Sequence, residues 1–184
     1  MLEDDRVSTD RFDAVLEGLA DQARAGLAAE DAASAAERAL AEFAEVSLLA
    51  RLRCSGSIRL DIDGLGCAEG FVRAVGHDVV LLNCTDGEYA IAARAILGVA
   101  NLPVASRAGS TIDDRLGLTA ILRGWAADRC PVLVIRPGAP ASRGIPVRVG
   151  ADHLDLVDAS PGDGGLRPVT VSLPLRGISA VIRR

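Results

Sequence analysis

The stretch EGFVRAVGHDVVLLN, Glu69–Asn83, decides the fold, because a related stretch, RGIPVRVGADHLDLV, returns 74 residues later at Arg143–Val157. At that offset Gly64 falls on Gly138, Gly70 on Gly144, Val75 on Val149, Gly76 on Gly150, Asp78 on Asp152 and Leu82 on Leu156. Ile58 falls on Val132 and Leu60 on Val134, so the match runs from 58 to 82 without a gap. The second copy then carries an extra loop, ASPGDGG, after which RAILGV at 94–99 answers RGISAV at 176–181. Glycines that keep their register in this way mark turns or bulges where a strand bends. The reading is a duplicated β unit.

Within the first copy the apolar period is two. Ile58, Leu60 and Ile62 alternate with Arg59, Asp61 and Asp63, the pattern of a half-buried strand. Gly64 and Gly66 punctuate a turn, CAEGFVRAVG reads as a second strand, and VVLLN as a third. CTDGEYAI holds an Asp-Gly hairpin signal. Five strands are expected between 57 and 102, and strands resume at Pro131. Helices are expected at about 10–25, where Ser8 or Thr9 supplies a cap and Phe12, Val15, Leu16 and Leu19 a stripe, and at about 30–53, with Gly26 weakening the join. A third, 114–127, has an apolar face of Leu116, Leu118, Ile121, Leu122 and Trp125. The domains expected are an acidic helical region (1–36), a barrel (37–102), a linker (103–113) and a second barrel (114–184).

Composition limits the chemistry. Only 3% of residues are aromatic, so the core must be aliphatic. All 20 basic residues are Arg, and the net charge of −5 argues against a general nucleic-acid coat. The charge is uneven: residues 1–50 carry 12 acids against 4 Arg, whereas 131–184 carry 7 Arg against 4 acids. Cys54, Cys67, Cys84 and Cys130 have no C-x-x-C spacing, and with His77 and His153 they make no metal pattern; free thiols of a reducing cytoplasm are expected, with no cofactor. The acidic start MLEDDRVSTDRF does not read as a signal peptide, and no apolar run is long enough to span a membrane. Asp78 and Asp152 stand one per copy, without a partner for acid–base work, and read as turn formers. No nucleophile with a base, P-loop or dinucleotide fingerprint is found, so no enzyme is expected.

A helix followed by five strongly bent strands resembles the Sm-like fold of Sm, LSm and Hfq proteins. GFVRAVGHDVVLLNCTDGEYAIAARAILGVANLP is similar to the Hfq core, with its Gly-led second strand, Val-Val-Leu-Leu third strand and Ala-Ile pair. GIPVRVGADHLDLV and PLRGISAV resemble the Sm pattern of an Asp opening the third strand and Arg-Gly before the fifth. The resemblance covers roughly 37–102 and 114–184. The acidic head with two such units also resembles bacterial proteins of actinobacterial type. It implies a mainly β protein with helices: two tandem SH3-type five-stranded barrels, each preceded by a helix, behind an acidic helical N-terminus. It implies self-association through barrel edge strands, and single-stranded RNA as a partner held by Arg94 and Arg176, with Asn83, Arg183 and Arg184 as further contacts. The base-stacking positions depart from the family: Ala92, Ala93 and Asp78 stand there. The alternative for Arg94 and Arg176 is a bridge to an acid of a neighbouring subunit. The alternative function is a protein–protein scaffold whose acidic helices recruit a partner. A transcription-associated regulator is third.

Overall fold

The computed structural model describes the backbone of residues 4–104, 106, 115–158 and 169–184, and the side chains of the same residues from 18 on apart from 20, 21, 23 and 158. Ser8 and Thr9, expected to cap a helix starting near residue 10, lie inside a helix that already begins at Asp4, so neither stands at its N-terminus. The side chains of Phe12, Val15 and Leu16, most of the 103–113 linker and the ASPGDGG loop lie outside the described residues. The chain divides into two compact units, Met1–Val46 and Ser47–Arg184.

The first unit is one helix, α1 (Asp4–Ala44). The expected break near Gly26 does not occur. The segment is dominated by Ala, Glu and Leu, whose summed helix propensity offsets the roughly 1 kcal/mol that one Gly costs. Its described side chains are exposed, among them Leu19, Leu27, Leu40 and Phe43. The second expected helix therefore ends earlier, at Ala44. A separate short turn, α2 (Leu48–Leu52), follows, capped by Ser47, whose Oγ accepts from the Ala50 N–H at 3.1 Å.

The second unit is mainly β. Its described strands are β1 (Ser57–Ile62), β2 (Gly66–Val75), β3 (Val79–Cys84), β4 (Gly87–Ala92), β5 (Ile96–Ala100), β6 (Val132–Arg136), β7 (Ala139–Val149), β8 (His153–Asp158), β9 (Thr170–Pro174) and β10 (Ala180–Arg183). They form one antiparallel sheet in the order β5-β1-β2-β3-β4-β10-β6-β7-β8-β9. Two tandem barrels are expected from the sequence; the strands form one continuous sheet, because β4 of the first repeat pairs with β10, the last strand of the second. The alternation read from the sequence holds: Ile58, Leu60 and Ile62 are buried and their neighbours exposed.

The two halves repeat at the level of individual ladder partners. Ile58 faces Gly70 as Val132 faces Gly144, and Leu60 faces Ala68 as Val134 faces Ser142. Phe71 faces Asn83 as Ile145 faces Val157. Both copies shift register at the same place, between Val72 and Ala74 and between Pro146 and Arg148. Gly70 and Gly144 are required by close approach: a Cβ on either would sit 2.5 Å from the Asn83 carbonyl oxygen or 2.3 Å from that of Val157. Gly64 and Gly138 both turn at positive φ, +76° and +66°.

A helix α3 (Leu118–Ala127) precedes the second copy and buries Leu118, Leu122 and Trp125, spaced four and three apart, beneath β7. Its first turn is capped from the first repeat: Asp78 Oδ1 accepts the Leu118 N–H at 2.9 Å. The turn-forming role expected of Asp78 is therefore extended to capping a helix 40 residues away. Among the described residues, no helix is long and apolar enough to cross a membrane.

Candidate functional site: the joint between the repeats

The feature that gathers most of the charged side chains of interest is the seam between β4 and β10. Here Ile91 faces Ala180, Ala90 faces Val181, Tyr89 faces Ile182 and Glu88 faces Arg183. Ala92 donates its N–H to the Ser179 carbonyl at 2.9 Å. Strand alternation turns the amides of Ala90 and Glu88 the same way, toward β10.

At one end of the seam lies a charged cluster. Glu88 is a buried acid in an otherwise apolar strand, its side chain 11% exposed. Arg183 Nη2 pairs with Glu88 Oε2 at 2.8 Å, and Arg73 Nη1 with Oε1 at 3.3 Å. The Arg183 guanidinium also lies 5.4 Å from the centre of the Trp125 ring and 3.8 Å from Asp128 Oδ2. Beside it, the Tyr89 hydroxyl donates to Asp86, and Arg184 pairs with Asp86 Oδ2 at 3.1 Å. Burial, reinforced by the bond to the Asp86 carboxylate, pushes the Tyr89 phenol up to about 12. Burial likewise pushes the Cys84 thiol up to about 11, with the Asp86 charge adding to it.

At the other end Arg94 reaches from the 3₁₀ turn Ala93–Ala95 to the matching turn Leu175–Gly177 of the second repeat. Its Nε donates to the Arg176 carbonyl at 3.3 Å, and its Nη2 to the Ile178 carbonyl at 2.8 Å and to the Leu175 carbonyl. One planar fork thus closes a whole turn, which a point-like ammonium does poorly.

Of the residues expected to touch RNA, Arg94, Arg183 and Arg184 are engaged within the chain, at this seam. Asn83 lies apart, exposed on β3 opposite Phe71, itself 66% exposed. Arg176 accepts Arg94 through its carbonyl, but its own side chain is exposed and makes no hydrogen bond or ion pair among the described residues, its charge reaching Asp152 only through space. Glu88 was not anticipated. Its signal was a lone acid inside GEYAIA, an otherwise small or apolar strand.

Among the described residues no three His, Cys, Asp or Glu side chains cluster as metal ligands, and the four cysteines are free. His153 Nδ1 and Asp152 Oδ1 lie 2.9 Å apart. The bond to Asp152 raises the His153 pKa, and the same bond lowers that of Asp152. A raised histidine contributes stability below its unfolded pKa and loses it as pH rises through the folded value; the lowered Asp152 loses its share as pH falls through its folded value. Asp152→Asn is therefore expected to lower the His153 midpoint in an NMR titration, and an unchanged midpoint would contradict the pairing.

Comparison of the chain with protein-family models, with curated proteins and with solved structures gives no match.

Proposed function

We propose that the chain is a non-enzymatic assembly protein of Sm-like type: two tandem SH3-type barrels that self-associate through their sheet edges, behind an acidic helical arm that recruits a protein partner. The observation that carries this reading is the seam itself. Two equivalent β units meet strand to strand, with buried charge at one end and an arginine fork at the other, so the unit's edge is suited to joining another such unit. The same strand order, fifth-first-second-third-fourth, in both halves supports the barrel reading. The strongly acidic balance of residues 1–50 and the exposed Leu27, Leu40 and Phe43 of α1 suit a partner with a basic, partly apolar segment. RNA association ranks second because Arg94, Arg183 and Arg184 already hold protein groups. A cytoplasmic setting fits the free cysteines.

Light scattering over a concentration series, with and without labelled U-rich and A-rich single-stranded RNA, tests this. The expected result is a mass that rises in multiples of 19.0 kDa, with no salt-sensitive RNA binding. A mass of 19.0 kDa at every concentration, with RNA binding that weakens steeply as salt rises, would replace it with the RNA reading.

A further inference from the structure

The seam uses the fourth strand of one repeat and the fifth strand of the other. The sheet also ends on those two strand types: β9, the fourth strand of the second repeat, and β5, the fifth strand of the first. Neither has a second strand partner among the described residues. These are complementary halves of the same contact, at opposite ends of one sheet.

Leu97 and Val171, two of the exposed apolar side chains of this unit, fall where that contact would cover them. Repeat equivalence places Leu97 with Ser179 and Val171 with Tyr89. At the seam Ser179 is 2% exposed and Tyr89 8%, whereas on the free edges Leu97 is 72% exposed and Val171 43%. Val169, next to β9, is also exposed.

Resting on the assembly reading above, we infer that Arg176 is the clasp of a head-to-tail joint between copies of this chain, in which β9 of one copy pairs with β5 of the next. The seam fixes the register: Leu173 meets Gly98, Ser172 meets Val99 and Val171 meets Ala100, where β5 ends because Asn101 turns at φ +62°. Arg176 then takes the place of Arg94. Its guanidinium donates to the carbonyls of Ala93, Arg94 and Ile96 of the neighbouring copy, as Arg94 does to Leu175, Arg176 and Ile178. This accounts for an exposed arginine side chain with no bond among the described residues beside an engaged twin.

The joint between copies is weaker than the seam, for two sequence reasons. Pro174 stands where Ala92 donates to Ser179, so one ladder bond is lost. Thr170 and Asn101 stand where Glu88 and Arg183 form their ion pair. Association is therefore reversible and concentration-dependent, and Arg176 carries a large share of it. The contact joins two different edges, so it propagates from copy to copy until the rotation closes or continues as a filament.

The test uses the full chain. Sedimentation gives the association constant of the wild type and of Arg176→Ala; the exposed side chain makes no bond among the described residues, so the variant should keep its melting temperature. At least about a 10-fold weaker association is expected, from the loss of charge-assisted hydrogen bonds. In parallel, Ala100→Cys and Val171→Cys chains carrying different tags are mixed and oxidised. A disulfide-linked species that requires both variants is expected. Association of the wild type with neither the cross-link nor an Arg176 effect would overturn this joint while leaving self-assembly in place. A wild type that stays monomeric throughout would overturn both. Loss of RNA binding in Arg176→Ala, with the mass unchanged, would overturn it in favour of a phosphate contact.

Discussion

Glu88→Ala is expected to destabilise the second unit by about 3 kcal/mol, the lower part of the range for breaking a buried ion pair. Removing the carboxylate leaves Arg183 without its 2.8 Å partner in a half-buried position. The cost does not reach the upper part of that range because Arg183 keeps Trp125 at 5.4 Å and Asp128 at 3.8 Å. Arg73 is 64% exposed and returns to water at little cost. Urea unfolding checks the value, and the melting temperature should fall by roughly 6–12 °C. A loss under about 1 kcal/mol would mean that the cluster is solvated and does not hold the seam.

Arg94→Ala is expected to cost about 2–3 kcal/mol, since hydrogen bonds to charged groups are worth about 1.5–3 kcal/mol each and the freed carbonyls can partly hydrate. Leu175 and Ile178, whose carbonyls the fork reaches, are buried residues, so their acceptors do not rehydrate fully. Arg94→Lys should recover less than half of the loss, because an ammonium cannot span three carbonyls of one turn. The same urea series reports it. Full recovery by Lys would show that charge alone, without the fork, closes the turn.

The repeat was legible in the sequence for a physical reason. Gly70 and Gly144 lie where neighbouring backbone leaves no room for a Cβ, and Gly64 and Gly138 turn at positive φ. Such positions admit almost no other residue, so both copies keep them in register. The alternation of Ile58, Leu60 and Ile62 was equally legible, because burial on one face of a strand imposes a period of two.

The seam was not legible. A period shows that a segment is a strand, but not which strand lies beside it, and β4 and β10 are separated by most of the second unit. Arg94 has the same local signature as Arg176, an arginine before the fifth strand, yet one is engaged and the other is not. What separates them is a neighbour 81 to 84 residues away in sequence. The continuity of α1 through Gly26 was missed because a single glycine was weighed locally, against a helix that is favourable along its length.

Amide hydrogen exchange of the full chain at low and high protein concentration tests the shared-edge architecture most directly. The amides of Ala90 and Val181, facing each other across the seam, should be protected at both concentrations. Those of Val99 and Ser172, their equivalents on the free edges, should exchange fast in dilute solution and become protected as concentration rises. Fast exchange at Val99 and Ser172 at every concentration would contradict assembly through these edges, and fast exchange at Ala90 and Val181 would contradict the seam itself.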